Sequence, residues 1–154
     1  MKVRKVDLKD RQEWARMRNL LWNSSLNKHL QEIDEYFAGK SPNIVNVFVL
    51  ETNSDRLGGF IELNIRNYAE GSESEYVPYV EGWYVESDLR QKGFGKQLMT
   101  MAEKWAIDCG FKELASDTEL ENSAGITAHQ ALGFQESERI VCFVKKLIDL
   151  SIHM

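Results

Sequence analysis

The chain has 154 residues, 43% of them apolar and 28% charged, with a formal net charge of -5. That length suits one soluble domain with a real core, so a single domain over 1–154 is expected. The acidic balance excludes a nucleic-acid partner, and the longest nearly apolar run, Ile44 to Leu50, falls far short of the roughly 20 residues that span a bilayer, so no membrane partner is expected.

In chain order, Lys2 to Val6 reads as a first strand. Asp10-Arg11-Gln12-Glu13 has the form of a capping box, opening a helix with Trp14, Met17, Leu20 and Leu21 on one face. A second helix is expected over about His29 to Ala38, with Leu30, Ile33, Tyr36 and Phe37 on its apolar side and Gly39 as its stop. Val47 to Thr52 and Leu57 to Arg66 form two strands around Asn53-Ser54-Asp55, a hairpin pattern. Asn67 to Pro78 is a polar loop long enough to be functional. Tyr79 to Glu86 is the next strand and Gly95 to Cys109 the next helix, stopped at Gly110. A short strand over Glu113 to Asp117, a helix over Asn122 to Leu132 stopped at Gly133, and a strand over Arg139 to Leu147 complete the chain. The order βααβββαβαβ describes a mixed α/β domain, with Pro42 and Pro78 placed in connections.

Composition sets further limits. The opening MKVRKVDLKD carries no apolar signal region. Cys109 and Cys142 sit singly in apolar patterns, which reads as two reduced core thiols in a cytoplasmic protein. His29, His129 and His153 are scattered without ligand spacing, so no metal is expected.

The stretch from Val85 to Leu98 carries the most chemistry. A strand runs into Arg90-Gln91-Lys92-Gly93-Phe94-Gly95, and a helical pattern begins at once. A helix start leaves backbone N–H groups unpaired and partly positive, and glycines let the backbone approach a ligand. Arg90, Lys92 and Lys96 add fixed charge, and the whole is an anion site. A dinucleotide fingerprint would need a small residue where Leu98 stands, and a P-loop would need Gly-Lys-Ser/Thr.

Charge is unevenly spread. Residues 70 to 88 carry Glu70, Glu73, Glu75, Glu81, Glu86 and Asp88 with no Lys or Arg, and residues 113 to 121 add Glu113, Asp117, Glu119 and Glu121 against no basic residue. An acidic zone beside a basic phosphate loop fits a cationic co-substrate next to an anionic cofactor, and it fits a solvated surface as well.

Arg90 to Gly95, read as Arg-x-x-Gly-x-Gly, resembles the acyl-CoA pyrophosphate loop of the GCN5-related N-acetyltransferases. A second element, from Ser116 through Asn122 to Ala131-Leu132-Gly133-Phe134, resembles that family's later strand, cofactor-facing helix and Leu-Gly-Phe ending. The pattern is most similar to the aminoglycoside 6′-N-acetyltransferases, through Trp22, Tyr68, Glu81-Gly82-Trp83-Tyr84-Val85, Ser116-Asp117-Thr118-Glu119 and Glu138.

The resemblance implies acetyl-CoA as co-substrate, no metal, direct acetyl transfer to the 6′-amine of an aminoglycoside, antibiotic resistance as the consequence, and a homodimer. It implies that Gln91 to Lys96 offer amides to the pyrophosphate, with Arg90 beside them. Trp83, Tyr84 and Val85 would meet the cofactor through their backbone, and Asn122 the pantetheine arm. Glu81 is the candidate base or amine acceptor, and strand alternation puts it on one face with Trp83. His129 stands where many relatives carry a Tyr general acid. Trp22, Tyr68, Asp117 and Glu138, with Glu81, would receive the substrate. Two other readings stay open: an acetyltransferase for a polyamine or protein N-terminus, and a non-catalytic acyl-CoA-binding module.

Overall fold

The apolar periods of the chain resolve into nine regular elements in a computed structural model that describes residues 1–148. They are β1 (Lys2–Lys5), α1 (Arg11–Leu21), α2 (Leu26–Phe37), β2 (Asn46–Glu51), β3 (Leu57–Arg66), β4 (Val77–Val85), α3 (Phe94–Asp108), β5 (Ala115–Ser116) and α4 (Ser123–Ala131). The sheet order is β1-β2-β3-β4-β5, with antiparallel pairing throughout except between β4 and β5, which run parallel. The architecture is the mixed α/β type expected.

Two cores sandwich the sheet. On one face α1 and α2 bury Trp14, Met17 and Ile33 against Val47, Val49, Phe60 and Tyr84. On the other, Leu98, Met99 and Ala102 of α3 pack on Phe48, Ile61, Leu63 and Val80. β2 and the first eight residues of β3 are therefore buried on both faces, which is why they read as apolar runs rather than as alternation. Cutting Trp14 or Phe60, both fully buried, to alanine would cost about 3–5 kcal/mol.

Local chemistry sets the boundaries. α2 starts earlier than expected because Ser25 caps it, its Oγ accepting from the Lys28 N–H at 3.1 Å. The expected capping box lies three residues upstream of where it was read, between Asp7 and Asp10. Asp10 accepts from the Asp7 N–H at 2.8 Å and from the Arg4 guanidinium, while Glu13 accepts from Arg16 and from the Leu57 N–H. Leu20 faces out of α1 and is exposed.

Three expectations give way. Pro78 lies inside β4, where β5 reaches only Tyr79 and Val80, so the proline sits at an open edge that needs no N–H from it. Both cysteines are exposed: Cys109 caps the end of α3, and Cys142 lies in the irregular segment after α4. The strand expected over Arg139 to Leu147 does not form. Residues 135–148 carry no regular structure, and Phe143 and Val144 are 89% and 93% exposed. A strand needs a partner edge, and no described strand offers this segment one. His153 and the end of the tail lie outside the described residues.

Candidate active site

The site is organised by an irregularity in the ladder between β3 and β4. Glu62 pairs with Gly82 and Leu63 with Val80, which leaves Glu81 as the extra residue of a β-bulge. A bulge breaks the alternation of faces and re-aims a side chain. Val80, Trp83 and Val85 belong to the α3 face, whereas Tyr84 packs with α1 and α2, and a Cβ on Gly82 would lie 2.4 Å from the Trp22 ring. The shared face expected for Glu81 and Trp83 is thus overturned. Glu81 joins Gly82 and Tyr84 on the α1 side.

There Glu81 lines a cavity of about 880 Å³ with Arg18, Trp22, Glu32, Glu35, Glu62, Asn64, Arg66 and Tyr68. Its carboxylate accepts from Asn64 Nδ2 at 2.9 Å and from Arg66, through Nε at 3.2 Å and through Nη2. The Arg66 guanidinium lies 3.6 Å from the centre of the Tyr79 ring, and the Tyr79 hydroxyl donates to Asp117 at 2.6 Å. Burial and the Asp117 carboxylate raise the Tyr79 hydroxyl above its ordinary value, so it stays a donor. Trp22 and Tyr68 therefore meet Glu81 in one cavity, and Asp117 is linked to it through Tyr79 and Arg66. Glu138 is exposed and does not line this cavity.

The cavity's inner wall was not foreseen. Glu62 is fully buried, 3.0 Å from Arg18 Nε and accepting from Trp14 Nε1 at 3.0 Å, and Arg18 donates to Glu32 at 2.7 Å. Burial pushes the Glu62 carboxyl up to about 7 despite the Arg18 guanidinium and the Trp14 donor. Two signals in the sequence point to this wall. Glu62 interrupts the run Phe60-Ile61-Glu62-Leu63, and Trp14, Arg18 and Trp22 recur every four residues along α1.

At the far end of β4 the anion loop has the form its residues imply. Gln91 has φ 61° and Gly93 φ 86°, and a Cβ on Gly93 would meet nothing within 4 Å, so backbone conformation rather than space calls for glycine there. The Gln97 N–H to the Gly93 carbonyl, 3.1 Å, opens the α3 ladder, so the amides of Phe94, Gly95 and Lys96 precede it. Trp83 Nε1 donates to the Gly95 carbonyl at 3.1 Å and ties the loop to β4. Arg90 turns back, its Nε donating to the Val85 carbonyl at 2.8 Å. Beside the loop β4 has an open edge, because β5 pairs only with Tyr79 and Val80. The backbone of Trp83, Tyr84 and Val85 thus continues past its parallel neighbour, next to unpaired helix-start amides.

Asn122 caps α4, its Oδ1 accepting from the Gly125 N–H at 2.9 Å and its Nδ2 donating to Thr118 at 2.9 Å. His129 packs edge-on against Trp83 and Phe134. Its Nδ1 lies 2.7 Å from the Gly125 carbonyl and so carries a hydrogen, while Nε2 lies 2.7 Å from Ser116 Oγ. Among the described residues there is no group of His, Cys, Asp or Glu side chains that would hold a metal ion.

Residues 14–134 match the model of the acetyltransferase (GNAT) family. The chain belongs to that family. This GNAT chain is 41% identical over 146 residues to an aminoglycoside N(6′)-acetyltransferase type 1 of Klebsiella aerogenes, covering 94% of this chain and 96% of that one. It superposes on the aminoglycoside antibiotic 6′-N-acetyltransferase AAC(6′)-IG of Acinetobacter haemolyticus with a TM-score of 0.86 at 32% identity, covering 96% and 100% of the two chains. AAC(6′)-Iy, solved with the bisubstrate analog CoA-S-monomethyl-acetylneamine, is similar at a TM-score of 0.83 and 30% identity, over 95% and 98%. The family uses acetyl-CoA. No helix among the described residues is long and apolar enough to cross a membrane.

Proposed function

We infer that this chain is an acetyl-CoA-dependent aminoglycoside 6′-N-acetyltransferase that transfers the acetyl group directly to the antibiotic's 6′-amine, with resistance as the outcome. The observation that carries the reading is the bulged Glu81. It faces a cavity with four carboxylates against two guanidiniums, and it stands on the same strand that leads into the anion loop. The similarity to aminoglycoside 6′-N-acetyltransferases over nearly the whole chain supports it.

The chemistry sets three tasks. An ammonium has no lone pair and must lose a proton, negative charge on the carbonyl oxygen needs a donor, and the departing sulfur takes up a proton. Glu81 accepts the amine and its proton, directly or through a water. Backbone groups of Trp83 and Val85 on the open edge bind the thioester arm and its oxygen, Tyr84 between them turns its own amide to β3, and Asn122 donates to the same arm. Arg90 to Lys96 hold the pyrophosphate: Gln91, Lys92, Gly93, Phe94 and Gly95 through amides, Lys96 also through charge. Acetyl-CoA supplies the activated acyl group when bound. His129, on the Trp83 side, gives its Nε2 proton as an imidazolium to Ser116 Oγ while the Ser116 hydroxyl passes its own proton to the departing sulfur. Trp22 and Tyr68 cover sugar faces, and Asp117 and Glu138 take further amines.

We further place the molecule in the cytoplasm as one acetyltransferase domain over 1–154. We also read the exposed apolar residues between Ile140 and Ile148 as the contact of a homodimer. Light scattering after size exclusion tests that contact; a monomer at micromolar concentration refutes it.

The function is tested by following thiol release with acetyl-CoA and kanamycin or tobramycin. Saturable release with aminoglycosides is expected, and no release above background overturns the reading. Spermidine in the same assay separates the polyamine alternative: if it outperforms both antibiotics, the substrate class is wrong.

A further inference from the structure

Arg66 has no role in the chemistry above, yet it occupies the position that the substrate's amine needs. Its Nε and Nη2 both donate to Glu81, its plane stacks on Tyr79, and Tyr79 in turn holds Asp117. With Asn64 Nδ2 as a third donor, most of the Glu81 carboxylate's acceptor capacity is filled from within the chain. An ammonium brought onto Glu81 with Arg66 in place would put two like charges in contact over one carboxylate. The two cations therefore exclude each other.

Arg66 is able to leave. It is the last residue of β3, its side chain is 38% exposed, and the polar loop that follows carries Tyr68, Glu70, Glu73 and Glu75. Asn64 stays on Glu81 from within the strand and keeps the carboxylate aimed when the guanidinium swings out.

We propose that Arg66 is a resident counter-cation of the amine site, displaced by the substrate's own ammonium, and that this exchange makes the enzyme select polycations over single amines. A monoamine must expel a two-pronged guanidinium with one charge. A polycation spreads further amines over the other carboxylates of the cavity, Glu35 and the Glu32 it shares with Arg18, and so displaces Arg66 at a smaller loss. The inference rests on the reading of Glu81 as the amine acceptor.

The test combines kinetics with a binding signal that does not depend on turnover. In Arg66→Gln, KM for kanamycin falls about three- to fivefold, with kcat moving less than KM, as loss of a partly exposed competing ion pair predicts. The preference for kanamycin over a simple primary monoamine, as a ratio of kcat/KM, narrows by a similar factor. Arg66→Lys keeps the charge but not the two-pronged contact, and its ratio falls between those of the wild type and Arg66→Gln. If Arg66 only braces Glu81, Arg66→Gln instead loses kcat with KM unchanged or raised, and the proposal is overturned. In the wild-type protein, the arginine Nε–H resonance of Arg66 is followed by NMR during titration with kanamycin alone. Loss of its protected, shifted signal supports displacement, and a signal unchanged at saturation refutes it. An enzyme that binds kanamycin with displacement of Arg66 but acetylates nothing would sink the proposed function and leave the exchange standing.

Discussion

The two sides of β4 solve their recognition problems with different material. On the α3 side the anion loop works through backbone: Gly93 in a left-handed conformation, helix-start amides, and the open edge beside Trp83 to Val85. On the α1 side the cavity works through charged side chains that come from α1, α2, β3 and β4: Arg18, Glu32, Glu62, Arg66 and Glu81. A local backbone device suits an anionic cofactor, whereas a distributed set of charges suits a cationic substrate. The Glu81 bulge is the point where the two sides meet.

If the sides are separable, each breaks alone. The largest effect is expected from Glu81→Gln, which keeps the shape and removes the base. kcat/KM for kanamycin should fall roughly 10²- to 10⁴-fold, while KM for acetyl-CoA stays within about twofold. A parallel loss of acetyl-CoA affinity would show that Glu81 does not act on the amine side alone.

Next comes the buried wall. Glu62 has a native value pushed up to about 7 from an ordinary 4.5, so the folded protein binds more protons than the unfolded chain between those values. Its contribution to stability is therefore fully present below about pH 4.5 and is lost as pH rises through 7, by roughly 3 kcal/mol. Thermal melts from pH 5 to 8 should show the decline, and Glu62→Gln should flatten it. Equal slopes in both proteins would refute the assignment.

Gly82→Ala should disturb only the amine side. Its Cβ would lie 2.4 Å from the Trp22 ring, so Trp22 must move, at about 1–3 kcal/mol in stability and with a raised KM for aminoglycosides. Gly93→Ala is the converse and the smallest. Open space surrounds the position, so the cost is that of a left-handed non-glycine residue, about 1 kcal/mol, read out as a several-fold higher KM for acetyl-CoA. Calorimetry with each ligand separately checks both variants.

The same contrast explains what was legible in the sequence. The loop from Arg90 to Lys96 and the stops at Gly110 and Gly133 are short-range patterns, and they stand where their spacing places them. Glu81 was singled out, but its face was not legible. A bulge is a relation between β3 and β4, and neither strand reveals it alone. Arg66 and Arg18 escaped notice because a charged residue at a strand end or in a helix reads as solvent-facing until its partner is known. The strand expected from Arg139 to Leu147 failed for a related reason. Its apolar run from Ile140 to Val144 is real, yet strand formation depends on an edge elsewhere, and β5 is only two residues long. Asn122 shows how one residue serves two readings, since its capping bond to Gly125 is present whether or not it also meets a cofactor.

The central claim is that Glu81, aimed by the bulge, presents one amine of a polycation to an acyl group held across the strand. The most direct measurement is the position of the acetyl group on kanamycin after reaction with acetyl-CoA, read by tandem mass spectrometry and NMR for the wild-type protein and for Glu81→Gln. The account predicts a single product acetylated at the 6′-amine, formed at a rate lowered at least a hundredfold in the variant. A mixture of acetylated amines, a different single position, or an undiminished rate in Glu81→Gln would contradict it.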